Sequence, residues 1–208
     1  MRRPLIIARQ SGHPRGWLGR TIAAIMVHET AAINRTVITA LNVGPGDHVL
    51  DIGCGSGLSI ALLAPLVPQG SVSGIDPSAV MIDRAKARNR EQIAARRAMV
   101  AVASVEQLPF VEDTFDAVMS VHTLYFWADL KRALTDIARV LRSDGRLVLA
   151  FRTGANPAAT ASFPSEIYNF RSMAEITDAA VQAGFVDCGT TPDGPNGEPA
   201  LLVARKQS

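Results

Sequence analysis

The sequence predicts an α/β fold with a mostly parallel sheet that ends in an antiparallel hairpin. Three observations carry this. From Asp47 onward, short apolar runs alternate with amphipathic stretches, the pattern of successive βα units. Val49-Leu50-Asp51-Ile52 runs straight into Gly53-Cys54-Gly55-Ser56-Gly57, and a helical pattern resumes at Leu58. That is a buried strand, a tight glycine loop and a helix start. The last two apolar runs flank Asp193-Gly194-Pro195-Asn196-Gly197, a turn sequence that closes a hairpin.

The elements follow in order. Met1 to about Ser11 is basic at its tip and aperiodic. Gly12, Pro14, Gly16 and Gly19 punctuate a loop around His13, Arg15 and Trp17. Thr21 to Leu41 reads as one or two helices, with Ile22, Ile25, Met26, Ile33, Val37, Ile38 and Leu41 approximating one face. This section is too short for a domain. Residues 1–45 are therefore expected to form a helical cover across the sheet's ligand edge, with residues 46–208 as the domain proper. Strands are predicted over His48–Ile52, Ser71–Ile75, Ala98–Ala103, Phe115–Ser120, Arg146–Phe151, Phe185–Thr190 and Ala200–Arg205. Helices are predicted over Leu58–Val67, from Pro77 to about Arg97, over Asp129–Leu141 and over Ser172–Ala183. Pro77 is expected to open its helix, where a missing N–H costs nothing. Ser143-Asp144-Gly145 reads as a turn into strand five.

Composition excludes several classes. With 48% hydrophobic and 19% charged residues, the chain is an ordinary folded globule. A net charge of +2 with no basic stripe argues against nucleic-acid binding. The series Arg84, Lys86, Arg88, Arg90, Arg96 and Arg97 reads as a solvated helix face. Cys54 and Cys188 lie far apart without ligand-spaced neighbours, so neither a disulfide framework nor a metal site is implied. Leu5-Ile6-Ile7-Ala8 is too short for a secretory leader, and Thr21 to Val27 is too short for a membrane span. A cytoplasmic monomer or homodimer is the default expectation.

The chemistry gathers at the strand ends. In open α/β sheets ligands bind at the carboxyl ends of the strands. Asp51 at the end of strand one would repel a pyrophosphate and welcome an ammonium group. Strand two ends in Gly74-Ile75-Asp76-Pro77-Ser78, and an acid there can accept hydrogen bonds from both ribose hydroxyls of a nucleoside. Asp76 also complements a helix N-terminus, and the two roles are compatible. The implied ligand carries a ribose and an amino or cationic group, and no phosphate. Cys54 reads as a small packing residue. Strand four leads into Ser120-Val121-His122-Thr123-Leu124-Tyr125-Phe126-Trp127. His122 is either a general base near neutrality or a group that shapes the pocket by hydrogen bonding. Phe126 and Trp127 are expected to pack the following helix on the sheet.

These segments, in this order, resemble the class I S-adenosylmethionine-dependent methyltransferases. Within them the chain is similar to the small-molecule group around the ubiquinone/menaquinone-biosynthesis methyltransferases. Val49–Gly57 matches the glycine motif and Asp76 the ribose-binding acid. Ser104-Val105-Glu106 through Leu108-Pro109-Phe110 takes the place of an Asp-Ala-Glu-x-Leu-Pro-Phe segment. Phe115-Asp116-Ala117-Val118, and Arg139-Val140-Leu141 followed by Gly145-Arg146-Leu147-Val148, match the strand-four and strand-five signatures. The chain departs twice. Ser104 stands where many relatives have an Asp that meets the adenine amino group, and Ser143-Asp144-Gly145 replaces a Pro-Gly-Gly turn.

The resemblance implies a Rossmann-like sandwich with a seven-stranded sheet in the order 3-2-1-4-5-7-6. It implies S-adenosylmethionine as cofactor and S-adenosylhomocysteine as product. The cofactor-binding residues it implies are Asp51, Gly53, Cys54, Gly55, Ser56, Gly57, Asp76, Pro77, Met81, Ser104, Val105, Glu106, Ser120 and Val121. His122 and Tyr125 become the candidate catalytic residues, Tyr125 through the attraction of a ring face for a cation. His13, Trp17, His122, Tyr125 and Tyr168 are the candidate substrate contacts, with Gln10 to Trp17 as cover, helped by Phe163, Tyr168 and Phe170. The acceptor is expected to be a compact small molecule. Strand four lacks the Asn/Asp-Pro-Pro-Tyr type of sequence that nucleic-acid amino-methylating enzymes carry, and no metal-binding acid cluster follows it. Two other classes stay open: cofactor-dependent pericyclic or cyclisation chemistry, and a non-catalytic cofactor-binding subunit. A nicotinamide dehydrogenase is disfavoured, because Gly-x-Gly-x-x-Gly and Tyr-x-x-x-Lys are both missing.

Overall fold

The structure, a computed structural model, describes residues 30–154, 163–164, 166–194 and 198–208. Helix α1 spans residues 30–41. Then come β1 (His48–Ile52), α2 (Leu58–Leu63), β2 (Ser71–Asp76), α3 (Ala79–Arg88), α4 (Arg90–Ala94) and β3 (Ala98–Val102). β4 (Phe115–Val121), a 3-10 turn (Leu124–Phe126), α5 (Leu130–Val140), β5 (Leu141–Phe151), α6 (Met173–Gln182), β6 (Phe185–Thr191) and β7 (Ala200–Lys206) complete the described elements. The sheet has seven strands in the order β3-β2-β1-β4-β5-β7-β6. β1 pairs in parallel with β2 and β4, while β7 runs antiparallel to β5 and β6. This is the strand order the resemblance implies, and the mostly parallel sense with a final antiparallel hairpin that the sequence pattern predicts.

Strand alternation sorts the core into two layers. Leu50, Ile52, Val118 and Leu149 face α5 and α6, whose inward residues are Ala133, Leu134, Ile137, Ile176 and Ala180. Val49, Val72, Met119 and Val148 face the other side, where Val37 and Leu41 of α1 and Ile60 and Leu63 of α2 cover them. α1 therefore packs on the sheet through residues 37, 38 and 41.

Several boundaries differ from expectation for local reasons. Ser78, not Pro77, starts α3: its hydroxyl accepts from Met81 N–H and its backbone is extended. The long helix expected up to Arg97 breaks at Asn89. There the side chain donates to the Ala85 and Gly57 carbonyls, both at 3.0 Å, and α4 restarts. Helix α2 ends at Leu63, short of Val67. β5 begins at Leu141, and the Ser143-Asp144-Gly145 turn becomes an irregularity between the Phe115–Leu141 and Ala117–Arg146 pairings. α6 opens with a capping box between Ser172 and Glu175. The expected cover segment, with His13 and Trp17, and the tip of the last hairpin lie outside the described residues. No helix among the described residues is long and apolar enough to cross a membrane.

Candidate cofactor site

The glycine loop is held shut by its own sheet. The N–H groups of Gly53 and Cys54 both donate to Ile75 carbonyl oxygen, at 2.8 and 2.9 Å, which folds the loop back over β2. Gly53 and Gly57 have φ of +74° and +75°, conformations that L side chains rarely adopt. Space forbids a side chain as well. A Cβ on Gly53 would collide with Thr123 Cγ2, and one on Gly57 would collide with Asn89 Nδ2. Cys54 is buried and packs against Gly74, and burial holds its thiol well above the ordinary range. It is a packing residue, not a nucleophile.

Two carboxylates stand behind the loop in different surroundings. Asp76 accepts from Gly55 N–H at 3.0 Å on one oxygen and from Ser78 N–H at 2.8 Å on the other. Asp51 is only 2% exposed, and its described partner is the Ser59 hydroxyl, which donates to Oδ2. Burial pushes Asp51 up to about 7; the Ser59 bond opposes this and the charge of Asp76 adds to it.

The far rim comes from the segment after β3. Ser104 donates to Glu106, and the second Glu106 oxygen accepts from Ala128 N–H at 2.9 Å. Burial acts against the Glu106 charge, but bonds from the Ser104 hydroxyl and nearby backbone N–H groups outweigh it and lower its pKa. Glu106 thus ties the rim to the start of α5, where Arg132 also reaches its carbonyl at 3.0 Å.

The exit of β4 forms the remaining wall. His122 adopts φ +57°, rare for a non-glycine residue, while its N–H still donates to Ala150 carbonyl at 2.8 Å. Its Nδ1 lies 2.8 Å from Tyr125 Oη, which accepts from Arg152 N–H at 2.7 Å. Burial pushes His122 down to about 4; the Arg152 charge acts the same way and Asp193 opposes them. Burial also raises the Tyr125 phenol.

Asp51, Gly53, Cys54, Gly55, Ser56, Asp76, Pro77, Met81, Ser104, Val105, Glu106, Val121 and His122 all line one cleft at this edge. Four of the expected residues among those described do not. Gly57 is buried against α3. Ser120 turns into the sheet, donating to Ile52 carbonyl at 2.9 Å and sharing a hydrogen bond with Thr123. Tyr125 and Tyr168 are each 5% exposed and belong to an aromatic cluster with Phe126, Phe163 and Phe170. That cluster forms core behind the turn, because the Tyr125 hydroxyl is anchored to Arg152. The lining also includes Thr30 and Asn34 of α1, Ser59, Thr123, Phe126 and Trp127. Asn34 carried a readable signal, since it shares a helical stripe with Val37, Ile38 and Leu41. Among the described lining residues there are three carboxylates and no Lys or Arg. Such a wall fits a cationic aminoacyl nucleoside and repels a dinucleotide.

Comparison with known proteins agrees. Residues 50–149 match a family described as methyltransferase domain. The chain is 31% identical over 124 residues to the putative methyltransferase YrhH of Bacillus subtilis (strain 168), spanning 60% of this chain and 68% of that protein. It is 31% identical over 116 residues to the demethylmenaquinone methyltransferase of Symbiobacterium thermophilum, spanning 55% of this chain and 46% of that enzyme. The chain belongs to the S-adenosylmethionine-dependent methyltransferases. It spans less than half the length of several curated relatives it matches. A putative methyltransferase solved in complex with the Haloferax volcanii Trm112 methyltransferase activator shares the fold, with a TM-score of 0.81, 21% identity and coverage of 92% of this chain and 96% of that one.

For a methyltransferase the lining is chemically apt. The methyl donor of the family bears an ammonium, a carboxylate, a ribose and a sulfonium. Asp76 stands at a strand end, Asp51 is a group that ionises near neutrality, and Val105 lies on the rim. Among the described residues, no group of three or more His, Cys, Asp or Glu is placed to hold a metal ion.

Proposed function

We propose that this chain transfers a methyl group from S-adenosylmethionine to a small-molecule acceptor by in-line displacement. The observation that carries this reading is the pairing of Asp51 and Asp76 at adjacent strand ends in a cleft whose described lining holds no Lys or Arg. When bound, the cofactor supplies a methyl group already activated by its sulfonium. The residues have the simpler task of holding the reactants in line. Asp76 accepts from the ribose hydroxyls while Gly55 and Ser78 keep its carboxylate aimed. Asp51 faces the aminoacyl end, where an ammonium favours its ionised form. Ser104 and Val105 meet the adenine edge, Ser104 with the weaker acceptor that a hydroxyl makes. Ile52, Ile75, Phe126 and Trp127 give the cleft an apolar wall, which suits a step in which charge falls. Positioning of this kind supplies about 7–11 kcal/mol of barrier lowering.

The N-terminal segment, residues 1–45, is proposed as the cover that gives acceptor specificity, with His13 and Trp17 as contacts. The presence of Thr30 and Asn34 of α1 in the lining supports this. The test is product analysis. A panel of phenols, amines, thiols and enols is incubated with cofactor, and S-adenosylhomocysteine release is scored. Release with one acceptor class establishes methyl transfer. Tight cofactor binding with no release from any acceptor would favour cyclisation chemistry or a non-catalytic role instead.

A further inference from the structure

The methyl-transfer reading leaves the role of His122 open between base and donor. Its hydrogen bonds decide between them. Tyr125 Oη accepts from the Arg152 N–H, which can only donate. The phenol has one proton left to place. Its remaining partner among the described residues is His122 Nδ1, at 2.8 Å. If Nδ1 carried a proton, two donors would point at one phenol oxygen and the buried phenolic proton would have no acceptor. If Nδ1 is bare, all three groups are satisfied, and the imidazole proton sits on Nε2. Buried polar groups are rarely left unpaired, so the second arrangement holds. The charged groups acting on the ring, Arg152 and Asp193, oppose each other, and burial keeps the ring neutral.

His122 then presents N–H rather than a lone pair to the cleft it lines. The other acidic groups on the described lining are engaged elsewhere: Asp51 with Ser59, Asp76 with Gly55 and Ser78, and Glu106 with Ser104 and Ala128. We infer that His122 is a fixed hydrogen-bond donor for an acceptor that arrives as an oxyanion, a phenolate or enolate, with Tyr125 as the positioning residue that fixes the tautomer. This rests on the methyl-transfer reading and deepens it. The balance is simple. The acidic hydroxyl gives its proton to solvent on binding. The anion's lone pair forms the new bond to the methyl carbon as the sulfur–methyl bond breaks, and the sulfonium becomes a neutral thioether. His122 Nε2–H stabilises the anion and keeps its proton throughout.

The test uses the whole chain, labelled with nitrogen-15 at histidine and saturated with S-adenosylhomocysteine. Nitrogen–proton correlation spectra distinguish the two tautomers, and the His122 signal is the one absent from His122→Gln. The expected result is Nε2–H with a bare Nδ1, and a mixture of tautomers in Tyr125→Phe. Adding 4-nitrophenol to the complex is expected to give the visible absorbance of its anion at a pH where the free phenol is mostly neutral. A proton on Nδ1 in the wild-type complex would overturn the inference, as would Tyr125→Phe leaving the tautomer unchanged. A bound neutral phenol, or no binding of 4-nitrophenol at millimolar concentration, would sink the oxyanion class. Failure to bind S-adenosylhomocysteine at all would instead bring down the methyl-transfer reading itself.

Discussion

Asp51 and Asp76 stand at the ends of neighbouring parallel strands in different surroundings. Backbone N–H groups from Gly55 and Ser78 hold both oxygens of Asp76, whereas burial pushes Asp51 up to about 7. Asp51 is thus poised to change charge when a cation approaches.

Cofactor binding is therefore expected to release protons. An ammonium beside Asp51 favours its ionised form, so below about pH 7 the complex holds fewer protons than the free chain. Affinity should rise with pH from about 5 to 7 and level off above. Calorimetry near pH 6 in two buffers of different ionisation enthalpy measures the release. The Asp51→Asn chain should show none. Equal heats in both buffers for the wild type would contradict the role given to Asp51.

Stability without ligand carries the opposite signature. The folded chain binds a proton at Asp51 more tightly than the unfolded chain, so this group's contribution is lost as pH rises from about 4 through 7, by up to about 4 kcal/mol. His122 is pushed down to about 4, so its neutral burial costs stability as pH falls below 6.5. Between about pH 4 and 6.5 the two slopes oppose each other. Urea unfolding of Asp51→Asn should expose the His122 slope, with stability climbing as pH rises across that window. A flat profile in this variant would refute the buried, neutral imidazole.

Replacing Asp76 with Ala should weaken cofactor binding by about 3 kcal/mol, on the order of a hundredfold, because two charge-assisted hydrogen bonds are lost. Asp76→Asn keeps one acceptor oxygen and should fall between. Titration calorimetry checks both, and unchanged affinity in Asp76→Ala would rule out the ribose role.

Gly53→Ala should destabilise the chain by about 2 kcal/mol or more, since φ is +74° and the new methyl meets Thr123, itself held by Ser120 and Trp127. Gly46→Ala is the control, because nothing lies within 4 Å of a Cβ there. Thermal unfolding should separate them, and equal midpoints would show that the loop yields more easily than its contacts imply.

The strand-end acids and the glycine loop were legible because each sits where an apolar run stops, and a βα pattern converts that position into a place on the sheet edge. The segment after β4 was not. Tyr125, Phe126 and Trp127 share a 3-10 turn and its cap, where neighbours point in different directions and no period separates them. Tyr125 reads as a cleft residue and is core. Phe126 and Trp127 read as packing residues and do pack in the core with α5, and both also line the cleft. The break at Asn89 has no glycine or proline to announce it. It depends on a tertiary bond to the Gly57 carbonyl, which joins residues far apart in sequence. Ser120 is a similar case, turned inward by the Ile52 carbonyl on the adjacent strand.

The most direct test of the central claim is titration of the purified chain with S-adenosylmethionine, in competition with S-adenosylhomocysteine and in parallel with NAD. The expected result is one S-adenosylmethionine bound per chain, displaced by S-adenosylhomocysteine and weakened by Asp76→Ala, with no binding of NAD. Binding of NAD without S-adenosylmethionine, or S-adenosylmethionine binding that Asp76→Ala leaves untouched, would contradict the account.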